Sequence, residues 1–334
     1  MVGIEIAPKA EWDVMAEVEK IVETGFDGER SIDLEAGRRA FMKAAGLGGA
    51  IAAFAGAMTS EASAASPDVD VAILNFALNL EYLEGEYYQR TVYGVGLPGD
   101  LTSGIGIQGG GVRGGSKVQF QNAVVLDVAA EIANDEKNHI QFLRATLGKE
   151  AVAEPVISLD ASFTVFAAAA GLPGTFSPYA DDFNFLLGAY ILTEVGVTAY
   201  QGAAPFITSK THLSAAARIL AVEAYHIGTI RTLLFAQQNV YYTKATALIS
   251  ALRASLSGAQ DDQGIGADQS TIDGGFPSPS NITNTDPNSI NFARTPRQVL
   301  NIVYGASGAR KGGFFPDGAN GGPKFGELLS ETGG

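Results

Sequence analysis

The chain has 334 residues, enough for one large domain or two smaller ones. Its formal net charge is −14, and no basic patch or basic–aromatic alternation appears, so nucleic acid and anionic membrane surfaces are not expected as partners. The sequence contains no cysteine, which excludes disulfides, thiol catalysis, zinc–thiolate sites and iron–sulfur clusters.

The first 64 residues predict an export signal. Arg38, Arg39 and Phe41 precede an Ala- and Gly-rich apolar run, and an A-x-A ending follows at 62–64. Paired arginines followed by Phe and Lys resemble a signal for the twin-arginine export machinery. The apolar run is shorter than the roughly 20 residues of a membrane helix. We therefore expect no stable membrane span after cleavage and a periplasmic or extracellular location; an uncleaved anchor or a buried helix is the alternative.

Four long segments of the remaining chain carry the helical period of apolar residues, namely 67–93, 116–147, 177–207 and 211–238. A short amphipathic piece, 161–170, lies inside a long connection between the second and third segments, as a bundle with a crossover requires. From 257 onward the chain is rich in Gly, Asp, Asn, Ser and Pro, with one helical candidate at 295–304. The predicted organisation is an export signal (1–64), an all-α four-helix bundle (65–256) and an irregular C-terminal extension packed on the bundle (257–334).

Two of the three histidines follow a glutamate by three residues: His139 follows Glu136, and His226 follows Glu223. Residues three apart share a helix face, so each pair offers one carboxylate and one imidazole to the same place. Two such pairs on facing helices would give each of two metal ions one carboxylate oxygen and one imidazole nitrogen. His212 has no such glutamate and is expected at the surface.

Further glutamates fall in the apolar stripes of the other two long helices. Glu81 is the candidate on the first helix, with Glu84 as its alternative, and Glu194 is the candidate on the third. A buried carboxylate needs a partner. No Lys or Arg is expected in these stripes, so metal ions would neutralise the carboxylates; the alternative is that each glutamate lies on a solvated face. Tyr88 and Tyr190 are candidates for hydrogen bonding around the ligands or for core packing.

The G-x-G-x-x-G run at 104–109 follows no predicted strand. Such a run binds nucleotides only between a strand and a helix. We expect a turn-rich or hairpin excursion here.

Taken in order, the runs LNLEYLEGEYYQ, DEKNH, LTEVGVTAYQGA and VEAYHIGTIR resemble the ferritin-like superfamily. The tail runs TPRQVLNIVYG and GGFFPDGANG are similar to its branch of exported desiccation-related, ferritin-like-domain proteins, and the resemblance covers about 68–322. It implies a four-helix bundle with a di-iron or di-manganese centre, in which two glutamates bridge the ions, each histidine binds one ion and the remaining glutamates cap the ends. The ligands would be Glu81, Glu136, His139, Glu194, Glu223 and His226.

The resemblance implies redox chemistry on dioxygen or peroxide, of the ferroxidase, peroxidase or manganese-catalase type. Oxygen and nitrogen ligands suit iron and manganese without separating them. The alternative is a non-catalytic metal-binding or structural stress-protection protein of the cell envelope. The sequence leaves open which metal binds, whether it is catalytic, and whether the protein is a homo-oligomer.

Overall fold

The computed structural model describes residues 67–107, 110–266, 280–321 and 325. Arg38, Arg39 and Phe41 of the predicted export signal lie outside these residues. The described helices are α1 (Pro67–Tyr93), α2 (Ala123–Leu147), α3 (Asp160–Ala170), α4 (Asp182–Ala203), α5 (Lys210–Ala236), α6 (Val240–Ser257) and α7 (Pro296–Tyr304). One-turn 3₁₀ helices occupy Gly99–Leu101, Gly148–Glu150 and Ala204–Phe206.

The four long helices α1, α2, α4 and α5 form the core bundle. α1 packs mainly against α2, α4 packs mainly against α5, and α1 also contacts α4. The chain between α2 and α4 contains α3, so the connection predicted to be long is long. The all-α architecture predicted from the sequence is confirmed.

Side-chain caps explain why two helices begin later than predicted. The Asn122 side chain accepts hydrogen bonds from the backbone N–H groups of Val124 and Val125, so α2 begins at Ala123. The Asp181 side chain accepts two such bonds in the same way, so α4 begins at Asp182. The capped ends leave the glutamates of both helices well inside regular helix.

α6 is a fifth long helix that the periodicity did not reveal. It follows α5 after a three-residue turn in which Gln238 has a φ of 49° and Asn239 caps the new helix. α6 packs against α3, α4, α5 and α7, and so joins the bundle to the C-terminal extension. In that extension Phe314 and Phe315 are buried.

The segment with the G-x-G-x-x-G run does not form the expected hairpin. Ile105 pairs in parallel with Val152, and the short strand β1 (Val112–Arg113) pairs in parallel with β2 (Ile157–Ser158). Both partners lie in the connection after α2. Gly104 allows two connections to run side by side, because a Cβ atom there would lie 2.4 Å from the Ala151 carbonyl oxygen; 108–109 lie outside the described residues.

α4 and α5 are long and apolar enough to cross a membrane by length and composition. Most of the apolar window of α4 is buried inside the protein, which accounts for its composition. α5 is less covered, but it carries Glu223, His226 and Arg231 on its buried side. Among the described residues, the apolar character of α4 is thus that of a core helix.

A buried ion pair between Arg253 of α6 and Asp262 helps to fasten the C-terminal extension to the bundle. Arg294 pairs with Asp261 and Asp262, and its backbone N–H donates to the Thr198 carbonyl of α4. A Cβ atom at Gly202 would lie 1.9 Å from the Arg294 carbonyl oxygen, so only glycine allows this close approach. Farther along, Asn320 exchanges two hydrogen bonds with Asn79 of α1.

Candidate metal centre

Four acidic and imidazole side chains meet in the buried centre of the bundle. Ligand atoms of Glu81, Glu136, His139 and Glu223 all lie within 4.8 Å of one another. His226 joins them, since its Nδ1 atom is 3.2 Å from Glu136 Oε1. α1, α2 and α5 thus each contribute to one cluster, which the two Glu-x-x-His spacings predicted for α2 and α5.

The two histidines face the same two carboxylates from opposite ends. His139 Nδ1 is 3.5 Å from Glu136 Oε2 and 3.2 Å from Glu223 Oε1. His226 Nδ1 is 3.2 Å from Glu136 Oε1 and 3.9 Å from Glu223 Oε2. Glu136 and Glu223 therefore each turn one oxygen toward each histidine. Glu81 belongs to one end only, with Oε2 3.3 Å from His139 Nδ1.

These facing atoms are buried and have no hydrogen-bond partner. Buried polar side-chain atoms in proteins are nearly always hydrogen-bonded, so a concentration of exceptions needs an explanation. A cation placed among them would satisfy all of them together. The atoms concerned are Glu81 Oε2, both carboxylate oxygens of Glu136 and of Glu223, His139 Nδ1 and His226 Nδ1.

Glu84, the alternative ligand on α1, borders the same cluster. Its Oε2 atom accepts a hydrogen bond of 2.7 Å from the Thr193 hydroxyl, which lies 3.0 Å from the Tyr88 hydroxyl. A Cβ atom at Gly196 would lie 2.6 Å from Glu84 Oε1 and 3.7 Å from Glu223 Oε2. Gly196 thus provides the space in which Glu84 approaches Glu223.

A third residue of α4 contacts the cluster through a hydroxyl group. Tyr200 donates a hydrogen bond of 2.5 Å to Glu81 Oε1, which leaves Oε2 of that carboxylate facing His139. Thr193, Gly196 and Tyr200 are spaced i, i+3 and i+7, so they share one face of α4. This spacing was visible in the sequence, but hydroxyl donors and a glycine gave no metal-ligand signal.

Asp135 is a further residue that the sequence analysis did not single out. Its Oδ2 atom lies 3.1 Å from His226 Nε2, on the far side of the imidazole from the cluster. A carboxylate in this position fixes Nε2 as the protonated nitrogen and directs the Nδ1 lone pair inward. Its position next to Glu136 in the DEKNH run was the available signal.

Glu194 does not face the cluster, contrary to its expected place among the ligands. Its Oε2 atom pairs with Arg231 Nη1 at 2.7 Å, and its Oε1 atom accepts from the Asn284 side chain at 3.0 Å. Arg231 is fully buried, so the expectation that no arginine lies in the helical stripes is wrong. One residue along a helix is a rotation of about 100°, and this rotation separates Glu194 from Thr193.

The remaining residues named in the sequence analysis are two tyrosines and one histidine, and each has hydrogen-bond partners in the structure. Tyr190 belongs to the Arg231 network, because its hydroxyl contacts Arg231, Ser250 and the Gln263 carbonyl. Tyr88 reaches Glu84 through Thr193, as described above. His212 is half-buried and pairs with Asp70 near the start of α5.

With protein groups alone around them, the acids and bases of the cluster have strongly shifted pKa values. Burial raises the pKa of Glu81 to about 8 and that of Glu84 well above its ordinary value. Burial also acts to raise the pKa of Glu136, but the facing imidazoles of His139 and His226 outweigh it and hold that pKa low. Burial lowers the pKa of His226, yet the carboxylates outweigh it and raise this pKa to about 12. The cluster therefore retains protons that a metal ion would displace.

The residues fit a pair of divalent ions. Glu81, Glu84, Glu136 and Glu223 carry four negative charges when ionised, which equals the charge of two such ions, and the two histidines add neutral nitrogen ligands. Oxygen and nitrogen donors without sulfur are the ligand types that iron and manganese accept.

Comparison with known proteins agrees with this centre. The family model of the ferritin-like domain matches residues 69–236, which include every residue of the cluster. The chain belongs to the ferritin-like family.

Two curated relatives lie in the branch suggested by the sequence. The ferritin-like catalase Nec2 of Nesocodon mauritianus is 29% identical over 76% of this chain and 84% of its own length. The desiccation-related protein PCC13-62 of Craterostigma plantagineum is 32% identical over 72% of this chain and 79% of its own length. No solved structure matches the chain significantly. The ferritin-like chain is therefore a member of the desiccation-related branch.

Proposed function

We propose that this ferritin-like protein is a di-metal oxidoreductase that converts hydrogen peroxide to water and dioxygen. The observation that carries the proposal is the group of buried, unpartnered oxygen and nitrogen atoms that face one another between α1, α2 and α5. The name of the relative Nec2, a ferritin-like catalase, supports the choice of peroxide as the substrate.

The arrangement of oxygens suggests how two iron or manganese ions would be held. Glu136 and Glu223 each have one oxygen near His139 and one near His226, so these carboxylates are the candidates to bridge two ions. Each histidine would bind one ion through Nδ1. Glu81 would complete the His139 end, and Glu84 takes the place that the sequence analysis gave to Glu194.

The reaction balances without an external reductant. One peroxide molecule takes up two electrons and two protons and becomes two water molecules, while a second gives up two electrons and two protons and becomes dioxygen. The metal pair supplies the store for two electrons between these half-reactions.

The protein's own part is to hold carboxylates in place and to move protons. Tyr200 orients Glu81, and Thr193 orients Glu84, through the hydrogen bonds described above. Glu81 holds a proton in the absence of cations because burial raises its pKa to about 8, and bound cations would displace that proton. Asp135 links His226 to the protein surface, where the Asp135 side chain is about one-third exposed.

The test combines metal analysis with oxygen evolution. We expect about two iron or manganese ions per chain and one dioxygen released for every two peroxide molecules consumed. The double variant Glu136→Gln/Glu223→Gln should lose both, whereas Glu131→Gln, an exposed glutamate of the same helix, should keep both. If the purified wild-type protein contains almost no iron or manganese, the proposal is refuted.

A non-catalytic role is the second candidate, because the other relative is named only as a desiccation-related protein. On that alternative the purified protein binds metal and releases no dioxygen from peroxide. Oxidation of added ferrous iron, measured in the same preparation, separates storage from a purely structural role.

We also propose that the protein is exported through the twin-arginine machinery to the periplasm or cell exterior. Support comes from Arg38, Arg39 and the A-x-A ending at 62–64. The mature N-terminus should then fall near Ala65, and changing both arginines to lysine should retain the protein in the cytoplasm. N-terminal sequencing that finds Met1 on exported protein would contradict cleavage.

A further inference from the structure

An apolar cavity of about 270 Å³ opens to the surface where α3, α6 and α7 meet. Ala169 and Val165 of α3 lie at its exposed rim. Apolar side chains from α3, α7 and the segment after α7 form its inner wall, and all of them are buried. This inner wall consists of Phe166, Ile302, Val303 and Phe314.

Behind the inner wall lies a second cavity that reaches the candidate metal centre. The same four inner-wall residues line it, together with Glu84 and Gly196. Its volume is about 10 Å³, close to the minimum that holds a single water molecule. The inner wall is thus the partition between a wide outer cavity and a narrow inner one that ends at Glu84.

The other carboxylates of the centre are almost fully covered by the described residues, and His139 is the most exposed residue of the centre at 9%. Glu136 is 0% exposed, Glu223 is 1% exposed and Glu81 is 3% exposed. The opposite side, near His226 and Asp135, is polar and reaches solvent through a carboxylate. The two approaches therefore differ in chemistry: one suits protons, and the other suits small neutral molecules, because ions enter apolar surroundings at a high cost in free energy.

We propose that the outer and inner cavities are the entrance for hydrogen peroxide, and that Phe166, Ile302, Val303 and Phe314 set the size limit of the oxidant. This inference rests on the proposed function, since it assumes that an oxidant reaches metal ions beside Glu84. The inner cavity is the narrowest part of this path, so hydrogen peroxide passes it with a smaller displacement of the inner wall than any bulkier oxidant. Bulkier hydroperoxides, and charged reductants or chelators, are held in or outside the outer cavity.

The size limit is tested with protein loaded with ferrous iron and mixed once with hydrogen peroxide or with tert-butyl hydroperoxide. Each oxidant takes up two electrons from the iron and two protons. Hydrogen peroxide then gives two water molecules, and tert-butyl hydroperoxide gives one water molecule and tert-butanol. Val303→Ala shortens an inner-wall side chain and should raise the rate with tert-butyl hydroperoxide about tenfold relative to hydrogen peroxide. Val124→Ala, an exposed valine of α2, is the matched control and should leave the ratio unchanged.

The position of the entrance is tested by blocking its rim. Ala169→Trp places an indole at the mouth, whereas Ala168→Trp, on the exposed side of the same helix, does not line the cavity. Xenon under pressure should occupy the outer cavity in crystals of the wild-type protein and of the Ala168 variant, and not in those of the Ala169 variant. The Ala169 variant should also react with hydrogen peroxide at least about tenfold more slowly at unchanged metal content.

The outcomes separate the entrance from the proposed function. An unchanged oxidant ratio in Val303→Ala, or an unchanged rate in Ala169→Trp that excludes xenon, would overturn the entrance even if the protein releases dioxygen from peroxide. Ferrous protein that is oxidised in a single mixing but never evolves dioxygen would overturn the catalase activity alone, and the rate ratios would still decide the entrance. A protein that binds no iron overturns both.

Discussion

Replacing Glu81 with glutamine should stabilise the metal-free protein at neutral pH and weaken the metal-loaded one. Glutamine has nearly the same shape as glutamate, and its carbonyl oxygen can still accept the hydrogen bond from Tyr200. The variant removes only the ionisable group. The sign of its effect therefore reports whether that group lowers stability without metal and binds an ion with it.

The magnitude follows from the pKa of Glu81, which burial raises from 4.5 to about 8. A raised pKa in the folded state means that stability is present below pH 4.5 and is lost as the pH rises toward 8. At pH 7 the loss extends over about 2.5 pH units, and at about 1.4 kcal/mol per unit this gives about 3 kcal/mol. At pH 5 the same arithmetic gives less than about 1 kcal/mol. A glutamine side chain does not ionise, so the variant does not lose this stability as the pH rises.

The assay is urea unfolding of chelator-treated protein at pH 5 and pH 7, repeated after reloading with manganese. We expect Glu81→Gln to be more stable than the wild type by up to about 3 kcal/mol at pH 7 without metal, and nearly equal to it at pH 5. With metal the order should reverse, since bound metal at a thousandfold excess over its dissociation constant adds about 4.1 kcal/mol to the protein that binds it, which exceeds the variant's gain. Glu131→Gln controls for removal of an exposed charge from α2.

One result would refute this reasoning. If Glu81→Gln lowers stability equally at both pH values, and metal changes neither protein, then the Glu81 carboxylate is a structural partner of His139 and Tyr200 and holds no ion.

Other perturbations test separate parts of the site. Asp135→Asn should lower metal affinity about 10- to 100-fold, measured by competition with a chelator, because the hydrogen bond that orients His226 is weakened. Gly196→Ala should lower metal affinity with little change in helix content, because the new methyl group would lie 2.6 Å from Glu84 Oε1. At Gly228 an added methyl group would meet no neighbouring atom, so the Gly228→Ala variant should bind metal normally. Arg231→Met should cost about 3–5 kcal/mol in unfolding experiments, because it leaves Glu194 buried without its ion pair; equal metal affinity in the refolded variant would agree with Glu194 lying outside the cluster.

The paired motifs could be predicted from sequence because their information is local. Glu136 and His139 share a face on any regular helix, and so do Glu223 and His226, whatever surrounds them. The long connection after α2 was also predictable, since the length of a connection is visible without coordinates. Whether the paired residues bind metal stays a prediction.

The single glutamates could not be placed with the same certainty because their helices are buried on nearly every side. In α4, each residue from Phe185 to Tyr200 is buried, so apolar neighbours do not reveal which way Glu194 points. In α1, Glu81, Glu84 and Glu86 are all buried for the same reason. The partner of Glu194 is Arg231 on α5, and a contact between residues so far apart in the chain leaves no mark in local periodicity.

The hydrogen bonds between Asn79 and Asn320 join positions 241 residues apart, and the Arg294 ion pairs also lie far along the chain from the bundle helices. During synthesis, a ribosome that has completed α5 has made every residue of the candidate centre, but not Arg294 or Asn320, which contact Thr198 and Asn79 of the bundle. Such long-range contacts form late, because the loop between them must close first. The residues of the candidate centre are therefore all present before the extension can pack on the bundle, so the centre can assemble first and the extension can cover the bundle afterwards.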